Sequence, residues 1–353
     1  MGASALYHLA RAGCRDAVLL ERDTLGSGST GAAVGGFRAQ FSDELNVRIA
    51  VEAIARLARF GDEFGVDIGF RQVGYLFLLR DDDVPTFTAS VAMQRALGVP
   101  AQLIDVDEAL AHVPGTSPDG LAAATFCPID GLATPDAVVQ GYAGAARRLG
   151  ATVRQGVAAR AIAVERGRVV GVRTDGGDIA TGRVVLAAGV WSRELAATAG
   201  FDLPVTGERR YVYYCDKPGP LPDRTPLTID FATSFYFHRE GPGLILGGPW
   251  ATAEELAPVA LHRLPAVADL GVASAWSGLY EMSPDRNALV GACEEPAGLV
   301  YGTGFSGHGF QQAPVVGEVL ADLALGRPST LDLAPFDVRR FTDAADRPEA
   351  NVV

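Results

Sequence analysis

The chain has 353 residues, a formal net charge of −12, 48% apolar and 20% charged residues. That length supports one large or two moderate domains, and the apolar content excludes intrinsic disorder. The acidic balance argues against nucleic acid or an anionic membrane surface as partner, because both select clustered Lys and Arg.

In chain order, Ala5, Leu6, Leu9 and Ala10 fall at helical spacing within residues 3–12, and Gly13 supplies a stop. A short apolar run at 17–21 then ends in Glu21, as a buried parallel strand does. Helix, strand and terminal acid are parts of a dinucleotide-binding βαβ unit, so the chain reads as truncated at its N-terminus, without the first strand and the first two loop glycines. Gly26–Arg38 is too rich in Gly, Ser and Thr for regular structure to be expected. Asp43 is expected to cap a long helix through "ELNVRIAVEAIARLARFGDEFG", with Val47, Ile49, Val51, Ile54 and Leu57 on its apolar side. Gly74–Leu79 reads as a strand, and 84–97 and 105–112 as helices.

Pro135 opens and Gly150 ends an amphipathic helix, followed by short strands with tight turns at Arg166-Gly167 and Asp175-Gly176-Gly177 and by the apolar strand "VVLAAG". Within 207–250, "RRYVYYCD", "SFYFHRE" and "GLILGG" predict antiparallel strands with aromatic alternation. "GLVYGTGFSGHGFQQAPVVGEVLADLALG" reads as strand, glycine loop and helix, and a polar end follows Phe341. The pieces interleave. Segments 1–70, 135–205 and 292–341 have the texture of a nucleotide-binding α/β domain, and 71–134 and 206–291 that of a β-rich, aromatic second domain.

Cys14, Cys127, Cys215 and Cys293 lie far apart with no Cys-x-x-Cys pair, so neither a disulfide framework nor a metal site is expected. No run approaches the ~18 uncharged apolar residues of a membrane span. No basic segment leads into an apolar one as in a secretory signal, and a cytoplasmic location is the expectation.

Two features suggest chemistry. Glu21 follows Gly2 by 19 residues, close to the spacing at which an acid accepts hydrogen bonds from a dinucleotide ribose; a solvated strand end explains it equally. Gly302, Gly304, Gly307 and Gly309 stand between a strand and a helix bearing Val315, Val316, Val319, Leu320 and Leu323. Without Cβ atoms, such a loop lets backbone N–H groups close on a flat or charged ligand at a helix N-terminus.

Four motifs taken together, "LLERDTLGSGSTGAAVGGFRAQFS", "VVLAAGVWS", "GLYEMSPDRNALVG" and "GFSGHGFQQAPVVGE", carry a family resemblance over essentially the whole chain. The chain resembles FAD-dependent amino-acid and amine oxidoreductases of the D-amino-acid oxidase/sarcosine oxidase type. It looks nearest to sarcosine oxidase β-subunit-like and dimethylglycine or proline dehydrogenase-like members. The resemblance implies an α/β fold: a Rossmann-type FAD domain, here lacking its first strand, with an inserted antiparallel-sheet α+β substrate domain roofing the flavin. It makes Gly2 the third glycine of the dinucleotide fingerprint, sets the ribose on Glu21 with Arg22 beside it, and brings the pyrophosphate and flavin near Ser29, Thr30, Gly35 and Gly36. Ala159 would meet the adenine, Ala188, Gly189 and Trp191 would line the cofactor, and Gly304, Ser306, Gly307, His308 and Gly309 would face the isoalloxazine.

The sequence departs from that pattern at two further places. Gln311 stands where monomeric sarcosine oxidases hold a Lys for the substrate carboxylate, which leaves the carboxylate to Arg38. Gly278 stands where those enzymes attach FAD through Cys, so non-covalent FAD is expected. The implied reaction is hydride transfer from a C–H of a small secondary or tertiary amino acid to flavin N5, giving an imine that water hydrolyses. The partners would be a small amino-acid or amine substrate and an electron acceptor: oxygen, an electron-transfer flavoprotein or a partner subunit. Arg38 either forks onto the carboxylate or is an exposed cation; Tyr236 either covers the flavin or packs; His308 either handles protons or supports the loop. Trp276 and Tyr280 read as packing residues, and His8, His112 and His262 as surface residues. A 2-hydroxy-acid dehydrogenase on the same fold, or a non-catalytic flavoprotein-like subunit or assembly factor, remain alternatives.

Overall fold

A computed structural model describes residues 1–219, 221–343 and 347–352, so part of the polar end after Phe341 lies outside the described residues. The chain begins with α1 (Gly2–Arg11) and β1 (Val18–Glu21). In the Gly/Ser/Thr-rich stretch, where no regular structure is expected, it forms one helical turn, α2 (Ser29–Ala32), and a two-residue strand, β2 (Gly36–Phe37). Tertiary contacts override composition there. Ser29 Oγ donates to the Leu279 carbonyl (2.8 Å), and the Trp276 indole N–H donates to that of Ala32 (3.1 Å). Asp43 caps α3 (Glu44–Ala58) by accepting from the Leu45 N–H at 2.9 Å. The helix is shorter than its pattern suggests: it breaks at Arg59, and α4 (Phe60–Phe64) stops at Gly65, whose φ of 70° suits a residue without a Cβ. Val47, Ile49, Ile54 and Leu57 are buried as expected, but the helical period carries Val51 past the buried arc and leaves it exposed.

Next come β3 (Tyr75–Leu79), α5 (Val84–Ala96), β4 (Gln102–Ile104), α6 (Val106–His112), β5 (Ala123–Cys127) and β6 (Gly131–Leu132). The following α/β stretch holds α7 (Pro135–Arg148), β7 (Thr152–Gln155), β8 (Ala159–Glu165), β9 (Arg168–Thr174), β10 (Ile179–Ala180), β11 (Val184–Leu186) and α8 (Ser192–Thr198). The rest comprises β12 (Thr206–Cys215), β13 (Leu227–Asp230), β14 (Phe235–Glu240), β15 (Gly243–Gly248), α9 (Ala253–Arg263), β16 (Val272–Met282), β17 (Leu289–Ala292), β18 (Leu299–Thr303) and α10 (Gly309–Ala324).

Two parallel pairs form the nucleotide-type layer, β1 with β7 and β11 with β18, and β17 runs antiparallel to β18. Helix α1 packs against β1 and β11 and also against α7 and α10. A Cβ on Gly2 would meet Leu19 at 3.7 Å and Ala187 at 3.9 Å, ordinary contact distances, so sterics do not require glycine there. Burial between α7 and α10 overturns the surface reading of His8. Its ring is 5% exposed beside Tyr7 and Tyr142, neither nitrogen has a hydrogen-bond partner among the described residues, and desolvation lowers its pKa to about 4.

Among the described residues the second layer is one sheet with strand order β16-β12-β15-β14-β13-β3-β5-β4. Its neighbours are antiparallel except β13 and β3, which run parallel, a departure from the all-antiparallel expectation. Alternation gives the sheet two faces. Leu76, Leu78, Phe235 and Phe237 pack with Leu256 and Ala260 of α9, while Tyr75, Phe77, Val212, Tyr236 and Ile245 cluster on the other. A fully buried ion pair, Arg263 Nε to Asp230 Oδ2 at 2.9 Å, fastens α9 to the sheet. Among the described residues no helix is long and apolar enough to cross a membrane.

Candidate active site

The glycine loop after β18 has left-handed backbone at Gly304 (φ 68°), Ser306 (φ 49°) and Gly307 (φ 90°). It leads into α10, whose N-terminus has no side-chain cap. Its first-turn N–H groups and the helix dipole are therefore available to an anionic edge. A Cβ on Gly307 would lie 2.6 Å from the Tyr280 ring, so the loop touches the second sheet at a point only glycine permits. Under the loop sits Glu281, whose Oε2 accepts from Thr303 Oγ1 at 2.8 Å; desolvation pushes its pKa up.

The other residues expected to meet the cofactor lie along a series of contacts leading away from this loop. Thr303 Oγ1 also lies 3.0 Å from the Gly189 carbonyl, and Gly189–Trp191 form a 3₁₀ turn after Ala188, whose N–H donates to Ser192 Oγ at 3.2 Å. Trp191 carries the Arg22 guanidinium over its ring at 3.8 Å. Beside it Glu21 closes β1, accepting from the Asp23 N–H (2.9 Å), and the Val157 N–H donates to the Glu21 carbonyl (2.9 Å), two residues before Ala159 opens β8. Ser29 and Thr30 lie on α2 against β16. Gly35 and Gly36 serve close packing: Cβ atoms there would stand 1.9 Å from the Ala133 carbonyl and 2.8 Å from Leu227.

Arg38, His308 and Gln311 are brought together, but largely to bind one another. Arg38 is 4% exposed; Nη1 donates to the Gln40 carbonyl, and Nη2 to the Asn351 carbonyl (2.6 Å) and to His308 Nε2 (3.0 Å). Gln311 Oε1 accepts from the Arg38 backbone N–H. Burial, reinforced by the Arg38 charge, holds His308 well below the usual histidine range, as suits a neutral ring accepting from a guanidinium. The buried Glu349 carboxylate secures the C-terminal segment over this knot, accepting from Ser42 N–H and Oγ, Asp43 N–H, Asn46 Nδ2 and Asn351 N–H.

Tyr236 lies in a neighbouring cavity of about 50 Å³ lined by Val34, Tyr75, Arg210, Leu227, Ile229, Ser234, Tyr236, Gly248 and Tyr280. Desolvation pushes all three tyrosines above the ordinary phenol range, so they are neutral donors near pH 7. Sequence reasoning missed Arg210 and Glu281 and read Tyr280 as packing. The quoted motif "GLYEMSPD" contained the signal: strand alternation sends Tyr280 and Glu281 to opposite faces of β16, one to the cavity and one beneath the loop.

A dinucleotide-type α/β layer whose glycine loop abuts a cavity in a mixed sheet defines a nucleotide-cofactor oxidoreductase class. The chain belongs to the FAD dependent oxidoreductase (DAO) family, whose sequence pattern matches residues 1–323. It is 30% identical over 372 residues to 4-methylaminobutanoate oxidase (formaldehyde-forming) of Paenarthrobacter nicotinovorans, covering 97% of this chain but 44% of that protein. The chain thus spans less than half the length of that relative. Among solved structures it is similar to L-proline dehydrogenase from P. horikoshii, with a TM-score of 0.88, 31% identity, and 96% and 94% of the two chains covered. Glycine oxidase from Geobacillus kaustophilus gives a TM-score of 0.85, 25% identity, and 96% and 95% coverage.

The residues present fit FAD. The left-handed loop and uncapped α10 suit the electron-rich pyrimidine edge of a flavin, and the Glu21–Arg22–Trp191 corner offers a carboxylate and a stacked cation to the adenosine end.

Proposed function

We propose that the chain oxidises the C–N bond of a small secondary or tertiary amino acid, of the sarcosine, dimethylglycine, proline or D-amino-acid type, with FAD held non-covalently. The observation that carries this reading is the contact between Gly307 and Tyr280, which joins the cofactor loop to a tyrosine-lined cavity. The three similar proteins are each named for an amine or amino acid, which supports the same class. Bound FAD would supply the two-electron acceptor for hydride from the α- or N-methyl carbon, after which water hydrolyses the imine. Tyr75, Tyr236 and Tyr280 orient the substrate as neutral donors and, with Leu227 and Ile229, keep bulk water from the reacting carbon. The acceptor for those electrons would be oxygen, an electron-transfer flavoprotein or a partner subunit.

The test mixes FAD-loaded protein anaerobically with sarcosine, dimethylglycine, proline, D-alanine or 2-hydroxyglutarate. The flavin band should bleach with at least one amino acid and survive 2-hydroxyglutarate. Bleaching by the hydroxy acid alone rejects the amine reading. A protein that takes up no FAD rejects both in favour of a non-catalytic subunit. Re-oxidation by oxygen, compared with an added acceptor protein, identifies where the electrons go.

A further inference from the structure

Building on that substrate class, we propose that Arg210, rather than Arg38, holds the substrate carboxylate, at a cavity that favours a small amino acid. Carboxylate recognition by arginine needs a free edge of the guanidinium fork. Arg38 has none at its two terminal nitrogens, which bind the Gln40 and Asn351 carbonyls and His308. Among the described residues Arg210 is the one cation lining the tyrosine cavity. Its side chain is 13% exposed, with Nη1 bonded to Glu208 and the Arg209 carbonyl. Among the described residues Nε and Nη2 have no partner, which leaves one side of the fork open. Glu208 fixes the other side, and the guanidinium sits 5.3 Å from the centre of the Tyr280 ring.

Position and size add to this. Across β12 and β16, Arg210 is paired with Gly278, where a Cβ would come within 2.7 Å of Ala32 on α2. The arginine therefore stands where the substrate sheet meets the segment that leads to Gly35 and Gly36. A water-sized group needs about 10–15 Å³ of such volume, so a cavity near 50 Å³ takes roughly three to five. Glycine has five non-hydrogen atoms and sarcosine six, so the cavity lies at the small end of the amino-acid class and resists a bulky side chain.

The experiment titrates acetate, and its neutral counterpart acetamide, against the flavin absorbance of the FAD-loaded protein, and measures KM and kcat for sarcosine. Acetate should perturb the band and compete with sarcosine, whereas acetamide should not. Arg210→Met should weaken acetate and raise the sarcosine KM by about 10- to 150-fold, the worth of a charge-assisted hydrogen bond, with a smaller change in kcat. Arg210→Lys should recover part of the loss, which separates an anchoring charge from a packing role. Unchanged flavin content and urea midpoint in both variants exclude misfolding as the cause. Wild-type acetate affinity in Arg210→Met overturns the assignment while leaving the amino-acid reading intact. No response of wild-type protein to acetate or to any amino acid overturns both.

Discussion

Replacing Asp130 by Asn tests whether a buried carboxylate beside the Arg38 knot stays protonated in the native state at mildly acidic pH. Asp130 is fully buried; Oδ1 accepts from the Ala39 N–H at 2.8 Å and Oδ2 from Gln40 Nε2 at 3.1 Å, with Cys127 and Arg38 also facing it. Desolvation outweighs these favourable neighbours and pushes its pKa from 3.8 up to about 7. Between those values the native state binds more protons than the unfolded state, so this group's contribution to stability is fully present below pH 3.8 and is lost as pH rises through about 7. At about 1.36 kcal/mol per pKa unit, this one group accounts for a loss of about 4 kcal/mol across the window. Asn cannot ionise, yet keeps an oxygen for the Ala39 N–H; the hydrogen bond it alters at Gln40 contributes the same at every pH. Urea unfolding of both proteins from pH 4 to 8 isolates the effect, because every other titration cancels in the difference. Wild type minus Asp130→Asn should decline by about 4 kcal/mol toward alkaline pH. A difference that stays flat would show that Asp130 titrates as an ordinary carboxylate.

Gly307→Ala should cost about 2–4 kcal/mol, since its φ of 90° disfavours Ala and the new Cβ drives into Tyr280. It should lower FAD retention on gel filtration and raise the KM for the amino acid; normal values of both would mean that loop and ring do not meet. Arg263→Ala leaves Asp230 charged in the core and removes the donors to the Ser117 and Asp119 carbonyls. It should destabilise by about 3–5 kcal/mol in urea, with Asp230→Leu/Arg263→Leu recovering part; a loss under 1 kcal/mol counts against the pair. Asp43→Ala removes the α3 cap and the partner of Arg347, lowering stability by about 1–2 kcal/mol; a rise in proteolysis near the C-terminus should accompany it, and its absence would separate the cap from the tail.

What could be read from the sequence was local. Asp43 before an apolar period, Pro135 and Gly150 around a helix, and glycines between a strand and a helix each act through a few neighbouring residues, so the string displays them. The break at Arg59 was hidden, because the pattern of charged and apolar residues continues across it into α4. The parallel pairing of β13 with β3 joins residues about 150 positions apart, and no local rule specifies it. Polarity misled in two places. His8 looks solvated, but α1 is flanked by two helices, and Glu349 lies in the polar end after Phe341 yet is wholly buried among five donors. Residue type cannot report whether the donors that would satisfy a charge are already in place.

The same distinction governs the site. Family resemblance turns to Arg38 for the carboxylate because Gln311 replaces the usual Lys, and the fold buries Arg38. What the fold adds is the account of its hydrogen bonds: two backbone carbonyls and a neutral histidine take both N–H groups of Nη2 and one of Nη1, which ties together the β2 segment, the α10 N-terminus and the C-terminal segment. That knot sits next to the tyrosine cavity, with the Arg38 guanidinium 5.9 Å from the Tyr75 ring and Gln40 Nε2 donating to the Tyr75 carbonyl at 2.9 Å. Tyr75 is thus positioned from the cofactor side by Gln40, and Tyr280 by Gly307. Two of the three phenols that would touch substrate are held by residues of the segments that would touch flavin. If FAD orders those segments it orders the cavity as well, and by linkage a substrate filling the cavity would then tighten cofactor binding by the same free energy.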